Sequence, residues 1–303
     1  MEKEFWMSMQ DNVDVYVKKW YKKDENPVAI VQLAHGMAEH INRYDDFANF
    51  LVNKNIYVYG NDHRGHGKTG DNQGLLGYFA DTDGFTKTTE DLFEITNRIK
   101  QEYPDVPLFL FGHSMGSFLS RRYIQMHSDL IDGVILSGTG YYPKTITNTA
   151  KFIANMLPAR EPSYLMNSLT FGSYNKMIPK NETSFDWLTR DKKVVKTYID
   201  DPYAGFTPTA SFFYDLMDGL IHIHNKKLNK SIRSNLPLLF ISGDADPVGD
   251  YSKGIWKTAQ HYDSIGIENI TTMLFKDGRH ELLNELNKEE VYVAIYQWIK
   301  NNL

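Results

Sequence analysis

The chain has 303 residues, enough to bury a large core, and its 42% hydrophobic and 14% aromatic content is that of a folded globule, not a disordered chain. A formal net charge of -5 shows no basic excess, which argues against a nucleic-acid partner and against attraction to an anionic membrane surface. The absence of cysteine excludes disulfides, thiolate metal sites and cysteine nucleophiles. The first residues, Met1 to Trp6, alternate in charge without an apolar stretch, and no apolar run approaches a membrane span. The expectation is a cytoplasmic protein with no integral membrane segment.

Residues 4–9 and 13–20 read as a hairpin. Val13, Val15 and Val17 alternate with polar residues, as in a half-solvated antiparallel pair. Residues 29–34 form an apolar run that predicts a buried strand ending at His35-Gly36. A helix is predicted over 43–54, with Tyr44, Phe47, Phe50 and Leu51 on one face. Residues 57–59 are the next strand, and the polar, glycine-rich stretch 62–70 reads as a loop. A helix over 85–102 carries Leu92, Ile95 and Ile99. The apolar run Leu108 to Phe111 then meets Gly112-His113-Ser114-Met115-Gly116 and a helical pattern over 118–126. Residues 133–137 are a further short strand.

Between 141 and 230 there is no clear buried strand. Short amphipathic pieces are separated by Pro158, Pro162, Pro179, Pro202 and Pro208, and the segment is too apolar to be a linker. It reads as a helical insertion. Strands are predicted again over 236–243 and 270–275, with helices over 253–262 and 281–301. Glu281 and Glu285 then suit the first turn of the last helix. The alternation implies an α/β fold, a mostly parallel eight-stranded sheet with helices on both faces and the hairpin as its antiparallel edge. The expected organisation is a core over 1–140 and 231–303 with an inserted helical cap over 141–230.

Strand, sharp turn and helix give G-x-S-x-G at Ser114 the context of a nucleophile elbow. A serine hydroxyl needs a positioned base, and the base needs a carboxylate to fix its tautomer. His35, His63, His66 and His280 all follow predicted strands, but only His280 comes after the serine, as the order serine, acid, histidine requires. Asp244, Asp246 and Asp250 are the candidate acids. An oxyanion needs two backbone N–H donors. Met115, next to the serine, supplies one, and Met37, in the loop after the third strand, is the choice for the other.

Taken together, His35-Gly36-Met37-Ala38-Glu39-His40, Asp62-His63-Arg64-Gly65-His66-Gly67, Gly112-His113-Ser114-Met115-Gly116, Gly243-Asp244-Ala245-Asp246-Pro247-Val248 and Gly278-Arg279-His280-Glu281 resemble the bacterial monoacylglycerol lipase and lysophospholipase family of serine α/β-hydrolases, which is serine-aminopeptidase-like. They occur in the family's order over nearly the whole chain. The resemblance implies Ser114 as nucleophile, Asp246 as acid, His280 as base and a cap inserted after the sixth strand. It implies hydrolysis of carboxylic esters with an apolar acyl chain, no cofactor, no metal, and a small-molecule or lipid ester as partner, with transient lipid-surface contact through the cap. A serine peptidase or amidase on small substrates, and a low-turnover hydrolase-fold binding protein, are the rival readings. Three decoys fall away. Gly67-Lys68-Thr69 lacks the first glycine of a phosphate-binding loop, since position 62 is Asp. His280-Glu281 lacks the second histidine of H-E-x-x-H. His222 and His224 read as surface or core histidines.

Overall fold

A computed structural model describes residues 1–303. The strands are β1 (Glu2–Ser8), β2 (Asp14–Trp20), β3 (Ala29–Ala34), β4 (Ile56–Asn61), β5 (Leu108–His113), β6 (Gly133–Ser137), β7 (Leu238–Gly243) and β8 (Ile270–Phe275). They form one sheet in the order β1-β2-β4-β3-β5-β6-β7-β8. β1 and β2 pair antiparallel, β2 runs antiparallel to β4, and every other pairing is parallel. The core helices are α1 (Asp45–Asn53), α2 (Gly67–Gln73), α3 (Gly84–Glu102) and α4 (Met115–His127). Between β6 and β7 lie α5 (Lys144–Asn155), α6 (Tyr164–Phe171), α7 (Lys192–Asp200), α8 (Ala210–Ile223) and α9 (Lys226–Asn229), with no strand among them. The chain finishes with α10 (Lys253–Asp263) and α11 (Lys288–Asn301). No helix is long and apolar enough to cross a membrane.

Strand period explains the layering. On β5, Leu108 and Leu110 join one core cluster while Phe109 and Phe111 join the other, and β7 divides Leu238 and Phe240 from Leu239 and Ile241 in the same way. The first cluster contains the apolar stripes of α3, α4 and α10, and the second those of α1 and α11. Both faces of the central strands are therefore sealed. Burying each such side chain contributes roughly 1.5–3 kcal/mol.

Three expectations needed correction. β2 is not half-solvated: it is buried from Val15 to Trp20. Lys18 and Lys19 survive there because their ammonium groups meet Glu2 and Asp45, and Glu102. The stretch 62–70 is not all loop, because α2 starts at Gly67. Asp62 makes that possible by accepting the Lys68 N–H at 2.7 Å, so a first-turn donor is satisfied and a negative charge sits at the helix start. A Cβ on Gly67 would lie 2.2 Å from that carboxylate. Finally, α11 starts at Lys288, not at 281. Residues 281–287 bend through a short turn because Glu281 and Glu285 are committed to arginines elsewhere.

Candidate active site

The sheet's topology opens a crevice between the loops that follow β3 and β5. From β3 the chain moves one way to β4, then returns to place β5 on the other side, so the two loops diverge at the carboxyl edge. Ser114 stands immediately after β5. Its φ of 52° and ψ of -118° are strained for a residue with a Cβ, and it is half-buried at the start of α4. Its own N–H donates to the Ser137 carbonyl at 2.9 Å, which ties the turn to the end of β6. The flanking glycines are steric necessities. A Cβ on Gly116 would lie 2.0 Å from the Ala34 carbonyl oxygen, and one on Gly112 would lie 2.3 Å from the Gly116 carbonyl oxygen.

His280 follows β8 and is 2% exposed; Asp246 follows β7 and is fully buried. The imidazole Nδ1 lies 3.1 and 3.0 Å from the two carboxylate oxygens of Asp246. With Nδ1–H donating to Asp246, Nε2 is left as the acceptor. Asp246 is itself steadied by the Val248 N–H at 2.9 Å. Burial works against the imidazolium, and the Asp246 carboxylate overrides it, so the pKa of His280 lies above its ordinary value. The two other candidate acids are exposed, and Asp244 is occupied with the Asp277 N–H. His113 and Trp187 pack their rings against His280, with centroids 4.7 and 5.0 Å away. Burial, with His280 close by, pushes the His113 pKa down to about 4, so it stays neutral.

Met37, Ser114, Met115 and His280 all line one cavity of about 250 Å³. Met115 is the first residue of α4, so its N–H has no partner within the helix. The Met37 N–H likewise has no acceptor in the protein. The Gly36–Met37 peptide is oriented by His35, whose Nδ1–H donates to the Gly36 carbonyl at 2.7 Å while Nε2 accepts the His63 N–H at 3.0 Å. That pair of bonds fixes a neutral tautomer, and burial lowers the His35 pKa to about 3. The structure thus brings Ser114, His280, Met37 and Met115 to one cavity, with Asp246 behind the imidazole. Asp62 does not join them; it caps α2. No group of three or more histidine or carboxylate side chains is arranged to hold a metal ion.

From the inserted segment, Phe171, Tyr174, Phe206 and Met217 line the cavity. Met166 and Phe212 are buried, whereas Phe152, Met156, Tyr164, Leu165 and Met177 are exposed. Sequence reasoning missed a buried ion network beside the histidine. Arg43 binds Glu39 at 2.6 Å and both oxygens of Glu281 at 2.7 Å, and Glu39 also accepts the Gly36 N–H and, at 2.9 Å, the Tyr44 hydroxyl. Burial opposes the Glu39 charge, and Arg43 overrides it, holding its carboxyl below the usual range. Glu39 precedes the short helical turn Ile41–Tyr44 that carries Arg43, so helical spacing did not mark this pair. Nothing in the sequence pointed to Glu281 as the network's other end.

Sheet order, elbow and carboxyl-edge histidine define an α/β-hydrolase. More narrowly, the chain belongs to the serine aminopeptidase, S33 family of hydrolases, whose profile matches residues 25–287. A monoglyceride lipase homolog of monkeypox virus is 28% identical over 296 residues, covering 97% of this chain and 96% of the relative. The monoglyceride lipase of Mus musculus is 25% identical over 291 residues, covering 94% and 86%. The crystal structure of a highly thermostable carboxyl esterase from Bacillus coagulans in complex with glycerol aligns with a TM-score of 0.90 at 27% identity, covering 99% of this chain and 98% of that one.

Proposed function

We propose that the protein is a serine hydrolase of carboxylic esters with an apolar acyl chain, monoacylglycerols and lysophospholipids being the substrate class. The observation that carries the reading is His280, buried against Asp246 and lining the same cavity as a half-buried, strained Ser114. Ser114 Oγ attacks the ester carbonyl while His280 Nε2 takes its proton. The tetrahedral oxyanion is held by the Met37 and Met115 N–H groups. His280 then returns the proton to the leaving alcohol, and water, activated by the same imidazole, releases the carboxylic acid from the acyl-enzyme. The relatives named monoglyceride lipase and carboxyl esterase support an ester over an amide. So does the engagement of the cavity's carboxylates. A peptidase reading an N-terminal ammonium needs a free carboxylate, and the two that line the cavity, Glu39 and Glu281, are both held by Arg43.

Residues 141–230 act in this reading as a cap unit between core segments 1–140 and 231–303. Large apolar side chains exposed on α5, at its C-cap and on α6, among them Phe152, Met156, Leu165 and Leu169, suit brief contact with a lipid surface. A cytoplasmic setting belongs to the same proposal and is supported by the cysteine-free composition. The test is hydrolysis of a monoacylglycerol and a matched acyl amide by the protein and by Ser114→Ala, with fluorophosphonate labelling alongside. The ester should be cleaved, the amide spared, and both turnover and labelling lost in the variant. Full activity in Ser114→Ala overturns the mechanism, and preferential amide cleavage overturns the substrate class.

A further inference from the structure

The turn that presents the Met37 N–H bends at Ala38, whose φ of 53° is left-handed, a conformation alanine does not hold unaided. The core steadies one side of this turn: His35 holds the Gly36 carbonyl and Glu39 holds the Gly36 N–H. The other side is held from the inserted segment. The Tyr198 hydroxyl, on α7, donates to the Ala38 carbonyl at 2.8 Å, and the Gly205 N–H donates to the same oxygen at 2.9 Å. Two donors occupy both lone pairs of that carbonyl. Tyr198 is buried, and the Arg43 guanidinium lies 4.7 Å from the centre of its ring. Burial raises its pKa, so the phenol remains a donor. Gly205 is fitted to it: a Cβ there would lie 3.2 Å from the Tyr198 ring, at a φ of 66°.

We infer that Tyr198 is a positioning residue for the oxyanion donor Met37, its hydroxyl fixing the Ala38 carbonyl and with it the turn that aims the Met37 N–H into the cavity. The inference rests on the serine-hydrolase reading above. It makes the inserted segment part of the reaction's geometry as well as a wall of the cavity. Any movement that admits substrate leaves residues 198–205 docked, because releasing them frees the Ala38 carbonyl.

Tyr198→Phe keeps the ring and its stacking on Arg43 and removes only the donor. Losing an oxyanion donor outright slows an enzyme by about 10²–10³, so a donor left in place but loosened should lower kcat on a soluble 4-nitrophenyl ester by about tenfold. KM should stay within about twofold, since ground-state binding does not use the oxyanion contact. Affinity for an alkylboronic acid, whose adduct on Ser114 places an oxygen where the oxyanion forms, should fall by the same factor as kcat. A merely structural role would lower the melting temperature without moving that affinity. Gly205→Ala, which disturbs the second donor, should give the same split between kcat and KM. The inference is overturned if kcat and boronate affinity in Tyr198→Phe both stay at the parent values, or if KM rises while kcat holds. A parent protein with no Ser114-dependent turnover and no boronate adduct would instead overturn the proposed function.

Discussion

Arg43 sets its two terminal nitrogens against both carboxylate oxygens of Glu281, at 2.7 Å each, across a chain separation of 238 residues. The same guanidinium binds Glu39, so one side chain ties the loop after β3 to the loop that carries His280. In the proposed mechanism both loops must keep their places for a proton to pass between serine and histidine while a backbone N–H waits for the oxyanion.

Removing Arg43 strands two buried carboxylates. Breaking a buried ion pair by deleting one partner costs about 3–5 kcal/mol. Arg43→Met should lower the unfolding free energy in urea by that amount, and Arg43→Lys, which keeps the charge but not the fork, by less. A loss under about 1 kcal/mol in Arg43→Met would mean that the network is solvated and not structural.

As the proposed base, His280 must be neutral to accept a proton, and its pKa is held above the ordinary value of about 6.5 by Asp246 against the effect of burial. The acid limb of kcat/KM should therefore rise through an apparent pKa above that value. In Asp246→Asn the carboxylate is gone, so the limb moves to lower pH, and the plateau drops by about 10⁴ as the tautomer is no longer held. A pH–rate profile whose acid limb stays in place in Asp246→Asn would remove Asp246 from this role.

The elbow's glycines answer to sterics. Gly116→Ala would set a Cβ 2.0 Å from a β3 carbonyl, and relief requires moving α4 off the sheet. Gly74, with a φ of 75°, has nothing within 4 Å of its Cβ position, so Gly74→Ala carries only the left-handed backbone penalty, about 1–2 kcal/mol. Thermal melts should rank the parent first, Gly74→Ala second and Gly116→Ala last. Equal melting temperatures for the two variants would contradict the packing at the elbow.

His66 is buried against Phe206 and Phe212, and burial lowers its pKa to about 3. The unfolded chain takes up that proton below about 6.5, whereas the folded chain resists until about 3. The stability tied to neutral His66 is thus present above the unfolded pKa and lost as pH falls through this window, at up to about 1.4 kcal/mol per pH unit. Urea unfolding of His66→Gln between pH 6.5 and 4 should show a slope shallower than the parent's by about that amount. Parallel slopes would show that His66 is protonated in the folded protein.

Phe152 on α5 and Leu165 on α6 are 66% and 52% exposed. Replacing both with Asp should slow turnover of an emulsified monoacylglycerol and leave the rate on a soluble 4-nitrophenyl ester unchanged. Equal loss on both substrates would place these side chains in the cap's own packing.

Much of this protein could be read along the chain. Apolar runs at 29–34, 108–111 and 236–243 marked strands because a strand buried on both faces must be apolar throughout, and Gly112 and Gly116 marked the elbow because no other residue fits between strand and helix. That Ser114 and His280 would meet on one edge followed from their places just past strands in a parallel sheet, whose carboxyl ends share it. Those are consequences of period and neighbour, which a linear sequence records. The start of α2, the burial of Lys18 and Lys19, and the late start of α11 were not legible, since each turns on a carboxylate arriving from elsewhere: Asp62 for the helix, Glu2, Asp45 and Glu102 for the lysines, Arg43 and Arg190 claiming Glu281 and Glu285. The tertiary structure alone decided that Arg43 would bridge two loops and that Tyr198 would reach the Ala38 carbonyl. A charge or a hydroxyl carries no mark of its partner in the sequence, and a bond of about 3 Å exists only once packing has fixed both ends.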